Sequence, residues 1–98
     1  MHLKVVLIGR VKLSQLTLNI LSKHASLLGV ITSTFGEENS DYVDLEPDCQ
    51  VMDIPLLKVD DINSQKVKSW LEEKDPDVIF CIGWSQVIGL GVLSVPKI

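Results

Sequence analysis

The chain has 98 residues, of which 46% are hydrophobic and 22% are charged, values typical of one small globular domain. Nine basic and thirteen acidic side chains give a net charge of −4, which argues against a general nucleic-acid-binding surface. The two cysteines fit no metal-ligand spacing, and no secretory leader precedes the first apolar segment. We therefore expect a reduced, cytoplasmic protein without a bound metal.

Charge is distributed unevenly along the chain. The first 36 residues contain no acidic side chain, and their lysines and arginine are Lys4, Arg10, Lys12 and Lys23. No lysine or arginine occurs between Lys23 and Lys58, and the acidic residues cluster there: Glu37, Glu38, Asp41, Asp44, Glu46, Asp48 and Asp53. This pattern is typical of a solvated acidic loop.

Short apolar segments predict four β-strands, at residues 3–8, 27–32, 56–59 and 78–82. A first helix is predicted after Ser14, whose hydroxyl can cap backbone amides, with Leu16 and Ile20 at helical spacing behind Leu13. A short helix is predicted around residues 44–52, inside a segment that is otherwise mainly loop.

Another helix is predicted after Asn63 or Ser64, because Val67, Trp70 and Leu71 repeat at i, i+3 and i+4. Residues 74–77 end it, since they contain a proline. Strands that alternate with helices in this way predict an α/β fold, a Rossmann-like doubly wound and mostly parallel sheet of about four strands. Right-handed crossovers place the first strand centrally with the fourth beside it.

Residues 78–96 carry no charge, which is nearly the length of a membrane span. Glycine, serine, glutamine and proline interrupt this stretch, so we interpret it as a buried strand, a loop and a short apolar helix, with no membrane contact. Cys81 lies within the strand and is predicted to be a packed thiol.

Two loops follow strands whose carboxyl ends should meet near the point where strand order reverses. Residues 9–14 (Gly-Arg-Val-Lys-Leu-Ser) combine a turn glycine, a helix start and the cations Arg10 and Lys12. This loop is neither a dinucleotide fingerprint nor a phosphate-binding loop of the nucleoside-triphosphatase type, because the required glycines and the glycine-lysine-serine end are missing. It is either a plain turn with solvated bases or an anion site.

The second loop, residues 83–88, could place a flat ligand against Trp84, although from the residues alone such a ring is more often part of the core. His2 and His24 are isolated, and no serine, cysteine or carboxylate completes a triad around either. No carboxylate pair can be assigned, so the residues alone contain no complete catalytic constellation.

Residues 75–88 (Asp-Pro-Asp-Val-Ile-Phe-Cys-Ile-Gly-Trp-Ser-Gln-Val-Ile) resemble the strand-and-loop signature of the 10-formyltetrahydrofolate-dependent formyltransferases. That family includes methionyl-tRNA formyltransferase, glycinamide ribonucleotide formyltransferase and the sugar-nucleotide N-formyltransferases. Residues 52–56 (Met-Asp-Ile-Pro-Leu) resemble the family's approach to its third strand, and residues 39–45 resemble a segment of the sugar-amine members. The resemblance covers nearly the whole chain and is strongest from residue 39 to residue 88.

The resemblance implies a role for each loop. The second loop would line the folate pocket with Gly83, Trp84, Ser85, Gln86, Val87 and Ile88. The first loop would face the amine substrate with Gly9, Arg10, Lys12 and Ser14, although the family's glycine-rich pattern is missing there. The implied cofactor is 10-formyltetrahydrofolate, and the implied substrate is a small-molecule amine, with an amino-sugar nucleotide favoured and methionyl-tRNA second. Nucleic acid would be bound only in the second case.

The family's catalytic asparagine, histidine and aspartate would follow Ile98, so residues 1–98 are expected to form one incomplete subdomain. Such a chain should be inactive, should bind folate weakly or not at all, and should self-associate through its carboxy-terminal third. The alternative is a non-catalytic Rossmann-like module that binds a nucleotide or a protein partner.

Overall fold

The computed structural model describes residues 3–34 and 42–82. Strands and helices alternate along these residues, in the order β1 Lys4–Gly9, α1 Lys12–His24, β2 Ser26–Ser33, α2 Glu46–Met52, β3 Leu56–Val59, α3 Gln65–Lys74 and β4 Val78–Ile82. The four strands form one parallel sheet in the order β3-β2-β1-β4. The predicted α/β fold, with β1 in the centre and β4 beside it, is therefore confirmed.

Helices cover both faces of the sheet, which makes it doubly wound. On one face, α3 contributes Val67 and Leu71 to a core that contains Val6, Ile8 and Ile31 from the strands. On the other face, α1 and α2 cover a second core. Its buried members are Leu7, Leu18, Val30, Leu45 and Cys49. Each strand sends alternate side chains into the two cores, so β1 is buried on both sides, as its unbroken apolar run predicts.

Tight packing requires a glycine in the middle of β2. A Cβ atom on Gly29 would lie 2.5 Å and 2.8 Å from ring carbons of Trp70 and 3.2 Å from the carbonyl oxygen of Pro55. The missing side chain leaves the space that the Trp70 ring of α3 occupies. Trp70 is thus a packing residue, and the ammonium of Lys74 lies over its ring, 5.4 Å from the centroid.

Both later helices end on an aspartate with a left-handed backbone, Asp53 after α2 and Asp75 after α3. Aspartate tolerates this conformation better than most residues, and the amide of each one bonds back to the preceding turn. Ser64 caps α3, as predicted, by accepting a 3.4 Å hydrogen bond from the amide of Val67. The predicted short helix within residues 44–52 is present as α2.

The sequence was misleading about the outer surface of α1 and about β4. The residues that face the sheet from α1 are Ser14 and Leu18, whereas Leu16 and Ile20 are exposed. No residue of β4 is fully buried, because β4 is the edge strand within the described part of the sheet. Cys81 is exposed on it, so the prediction of a packed thiol is wrong. Self-association through the carboxy-terminal third stays a prediction, since residues 83–98 lie outside the described residues.

Candidate functional site

The two predicted loops start side by side at one edge of the sheet. β1 ends at Gly9 and β4 ends at Ile82, and these two residues are direct partners in the parallel pairing of the strands. In an open α/β sheet, ligands bind at the carboxyl ends of the strands, next to the point where strand order reverses. The β1–β4 pair is such a point in the order β3-β2-β1-β4. The candidate site is therefore the edge formed by residues 9–14 and the chain that continues from Ile82.

Gly9 is required at this edge because there is no room for a side chain. A Cβ atom there would lie 2.6 Å from the carbonyl oxygen of Ile82, and it would overlap the side chain of Ser14 as well. Real Cβ atoms essentially never come this close to a backbone oxygen. The glycine consequently lets the end of β1, the start of α1 and the end of β4 converge on one point.

Ser14 joins these three elements through its hydroxyl group. The hydroxyl donates a 2.7 Å hydrogen bond to the carbonyl oxygen of Ile82 and accepts a 3.3 Å hydrogen bond from the amide of Val11. The prediction that Ser14 itself precedes and caps the helix is wrong, because α1 begins at Lys12 and Val11 is its N-cap residue. Ser14 lies one turn inside the helix, where its side chain reaches back to the N-cap amide.

The segment before α2 holds the first loop from the other side. The carbonyl oxygen of Arg10 accepts a 2.9 Å hydrogen bond from the amide of Val43, and Val11 forms an antiparallel bridge with Tyr42. One turn further along α1, the side-chain amide of Gln15 donates a 2.8 Å hydrogen bond to the carboxylate of Asp48. These contacts fix the backbone of the loop in place before any ligand binds.

The structure brings the four predicted substrate residues together at one loop, but it exposes them differently. Gly9 and Ser14 are buried, Arg10 is half-buried, and Lys12 is exposed. Because the Ser14 hydroxyl is engaged with Ile82 and Val11, its visible role is to position the loop, while the cations of Arg10 and Lys12 are the groups that could meet an anion. Contact of these residues with a substrate stays a prediction.

The six residues predicted for the folate pocket, Gly83, Trp84, Ser85, Gln86, Val87 and Ile88, lie outside the described residues. What the described part gives is their starting point. β4 ends at Ile82, whose carbonyl oxygen accepts a hydrogen bond from Ser14 at the β1–β4 edge. The folate contacts therefore stay a prediction.

Sequence reasoning did not anticipate two buried hydroxyl groups at the carboxyl end of β2. Thr32 is fully buried and Ser33 is 5% exposed, and neither hydroxyl has a hydrogen-bond partner among the described residues. Thr32 pairs in register with Lys58 of β3, and Ser33 pairs with Val59. The sequence signal that could have revealed them is a pair of polar residues at the end of an apolar strand. Burial of such residues without hydrogen-bond partners is costly.

A second polar cluster surrounds Lys58, beside an open cavity of about 390 Å³ between α2 and β3. The Lys58 ammonium lies 3.4 Å from the Glu46 carboxylate and 3.7 Å from that of Asp44. Desolvation opposes its charge, but the two carboxylates outweigh that effect and raise the pKa of Lys58. The cavity is lined by Glu46, Cys49, Gln50, Ile54, Leu56 and Lys58. One ammonium and two carboxylates leave one net negative charge in this cluster, and the two ion pairs link β3 to Glu46 of α2 and to Asp44 before it.

Three further properties of residues 3–34 and 42–82 bear on function: metal binding, membrane spanning and thiol reactivity. No three histidine, cysteine, aspartate or glutamate side chains in this part of the chain lie close enough together to hold a metal ion. None of its helices has the length and apolar character needed to cross a membrane. Burial raises the pKa of the Cys49 thiol to about 11, with the nearby charges of Asp48 and Asp44 adding to the effect, so this thiol is a neutral core group.

Comparison with known proteins gives a likeness in fold but none in sequence. No protein-family model matches the chain, and no curated protein matches it. Among solved structures, it is similar to the crystal structure of phosphoribosylglycinamide formyltransferase from Streptococcus pneumoniae TIGR4, with a TM-score of 0.68 and 12% sequence identity. The similarity covers 95% of this chain and 51% of that one, so this chain spans about half the length of the formyltransferase. The likeness shows that the chain shares an α/β fold with that half of the solved structure.

Proposed function

We propose that this chain is the cofactor-side half of a formyltransferase, whose complete protein transfers a formyl group from 10-formyltetrahydrofolate to a primary amine. The observation that carries the proposal is the likeness in fold to a formyltransferase over 95% of the chain. The resemblance of residues 75–88 to the family's strand-and-loop signature supports it independently. That segment follows α3 and includes β4, whose end is the β1–β4 edge where ligands of such sheets bind.

In this proposal the two loops divide the substrates between them. Residues 83–88 hold the pterin-like ring of the folate through backbone groups, and residues 9–14 face the amine. Arg10 and Lys12 would meet an anionic group on the amine substrate. Both lie at the start of α1, where the backbone amides of the helix also favour negative charge. An amino-sugar nucleotide, which carries phosphate, is the favoured amine, and methionyl-tRNA is the second candidate.

The first experiment is chemical-shift mapping of the 98-residue chain with 5-formyltetrahydrofolate, a reduced folate with a stable formyl group. We expect weak binding that first perturbs the amides of residues 83–88, followed by those of Gly9 and Ser14 across the β1–β4 edge. Mononucleotides serve as the comparison ligand. Shifts confined to residues 35–48, or binding of a mononucleotide but not of folate, would contradict the proposal and favour a non-catalytic nucleotide-binding module.

Activity is tested separately on a longer chain that continues past Ile98. We expect formyl transfer only from a chain that supplies an asparagine-x-histidine segment, because the family's chemistry needs groups that stabilise an oxyanion and move protons. The 98-residue chain is the matched control in the same assay. Turnover by this control would show that the catalytic groups have been assigned to the wrong part of the protein.

A further inference from the structure

The outer face of α1 is an apolar strip with cations at both ends. Leu13, Leu16 and Ile20 are each between 57% and 60% exposed, although they belong to a helix that is packed on the sheet through Ser14 and Leu18. The other exposed residues of this helix are Lys12, Lys23 and His24. We call these six residues the outer α1 face. It contributes nothing to the two cores that the described residues form.

The spacing of the apolar residues is that of a helix–helix seam. Leu13, Leu16 and Ile20 follow steps of three and four residues, which are the a, d and a positions of a heptad. α1 has 13 residues and is therefore about 20 Å long, enough to pair with three to four turns of another helix. Three leucine or isoleucine side chains in this register can fit between the side chains of a facing helix.

The charges on the same face select the partner. Lys12 and His24 occupy the g and e positions beside the seam, Lys23 occupies the next d position, and α1 contains no acidic residue. A second copy of α1 would place Lys23 in the apolar seam in either orientation, against the other Lys23 in a parallel pair and against Leu13 in an antiparallel pair, which disfavours self-pairing. A membrane surface is also a poor fit, since interfacial helices are rich in lysine and arginine, whereas α1 has only two lysines, one near each end.

We propose that the outer α1 face is a docking surface for an amphipathic helix whose apolar seam is flanked by acidic residues. Such a helix covers Leu13, Leu16 and Ile20 and places its carboxylates beside the cations at the two ends of the strip. The surface lies on the side of α1 that faces away from the sheet, and Lys12 is the one residue that it shares with the residues proposed to meet the amine. It supplies a protein-binding role that the folate and amine loops do not.

The test uses the 98-residue chain and two designed 21-residue peptides with leucine at every a and d position. One peptide has glutamate at every e and g position, and the other has lysine there, so that like charges keep each peptide from pairing with itself. Fluorescence anisotropy should show that the glutamate peptide binds at least about ten-fold more tightly than the lysine peptide, with a difference that shrinks as salt is added. Equal binding of both peptides, or binding of neither, would overturn the proposal.

Surface variants test whether peptide binding depends on the apolar seam of α1 or on nonspecific adhesion to any exposed apolar residue. Leu16→Gln should weaken binding of the glutamate peptide about ten-fold, whereas Val51→Gln, which changes an 87% exposed residue on α2, should leave it unchanged. The double variant K12E/K23E should reverse the peptide preference, and the exposed Lys66→Glu on α3 should not. Circular dichroism confirms that each variant is folded.

Two further measurements address the rival occupants of this face. Sedimentation of the wild-type chain should show no self-association that Leu16→Gln abolishes. Flotation with vesicles of 70% phosphatidylcholine and 30% phosphatidylglycerol should show no binding that depends on Leu16. A positive result in the first experiment would assign the face to a second copy, and a positive result in the second would assign it to a membrane. Either result would overturn the proposal of an acidic helix.

Discussion

Replacing Ser14 with alanine tests whether one hydroxyl group organises the β1–β4 edge. In the folded chain this hydroxyl donates to the carbonyl oxygen of Ile82 at 2.7 Å and accepts from the amide of Val11 at 3.3 Å, and the side chain is fully buried. Ser14→Ala removes both hydrogen bonds without adding bulk. It leaves a backbone acceptor and a backbone donor without the partners that they have in the wild type.

The expected cost follows from those two groups. An unsatisfied buried acceptor or donor costs about 1–3 kcal/mol, and the lower end applies to Val11, which is half-buried and open to some water. The two losses together come to about 2–4 kcal/mol. Alanine is the better helix former by about 0.5 kcal/mol, which offsets a small part. We expect the free energy of unfolding to fall by about 1.5–3.5 kcal/mol and Tm to fall by about 6–28 °C.

Urea denaturation followed by circular dichroism measures this loss, provided that the slope m stays unchanged. Ser22→Ala is the matched control, because it is the same substitution on the same helix. The Ser22 hydroxyl donates only to the nearby carbonyl of Asn19, at 2.8 Å, and joins no second element. We expect the control to change stability by less than about 0.5 kcal/mol. Equal effects of the two substitutions would refute the argument that Ser14 joins the strands and the helix.

Three more predictions concern the same edge and the second core. Gly9→Ala should destabilise the fold by about 1–3 kcal/mol in the same urea assay, since the added Cβ atom would lie 2.6 Å from the Ile82 oxygen, and an unchanged midpoint would show that the edge can open. The free energy of unfolding should fall as pH rises from about 9 to about 11, because the Cys49 thiol loses its proton at a lower pH in the unfolded chain than in the folded chain. The variant Cys49→Ala should lack this part of the pH dependence. Parallel pH profiles of the two proteins would show that Cys49 is not the cause. In a longer, active chain, changing Arg10 and Lys12 to alanine should raise KM for a phosphate-bearing amine about ten-fold or more and leave KM for folate nearly unchanged. Equal changes in the two KM values would show that the loop is a plain turn and not an anion site.

The arrangement of the sheet could be predicted because it depends on signals that are local and repeated. Each strand contains a short apolar run, which a charged residue interrupts only at Lys58 of β3, and α3 carries a serine cap and an i, i+3, i+4 repeat. Connections in parallel sheets are short and right-handed, so the order of strands followed from the order of elements. The start of α3 was predicted to within one residue, because Ser64 is both a strong N-cap type and the residue before the helix.

The face of α1 that packs on the sheet could not be predicted, since this helix carries two apolar stripes. One runs through Leu13, Leu16 and Ile20, and the other runs through Leu18 and Leu21 behind Ser14. Their periods are equal, so hydrophobic spacing cannot rank them. The stripe that packs on the sheet is the one on the side of Ser14, whose hydroxyl donates to Ile82, a residue 68 positions away in the sequence.

The same long-range contact shows why a loop without the usual glycine-rich pattern can still form part of a binding edge. A glycine-rich loop lets backbone amides approach a ligand closely, but it leaves the chain to be ordered when the ligand binds. Here a single glycine admits the close approach of Ile82, and the Ser14 hydroxyl and the Arg10–Val43 hydrogen bond hold the remaining backbone. The first loop is therefore ordered by contacts with β4 and with the segment before α2. Through its two hydrogen bonds, Ser14 links the end of β4, which leads into the proposed folate loop, to Val11 between Arg10 and Lys12 in the first loop.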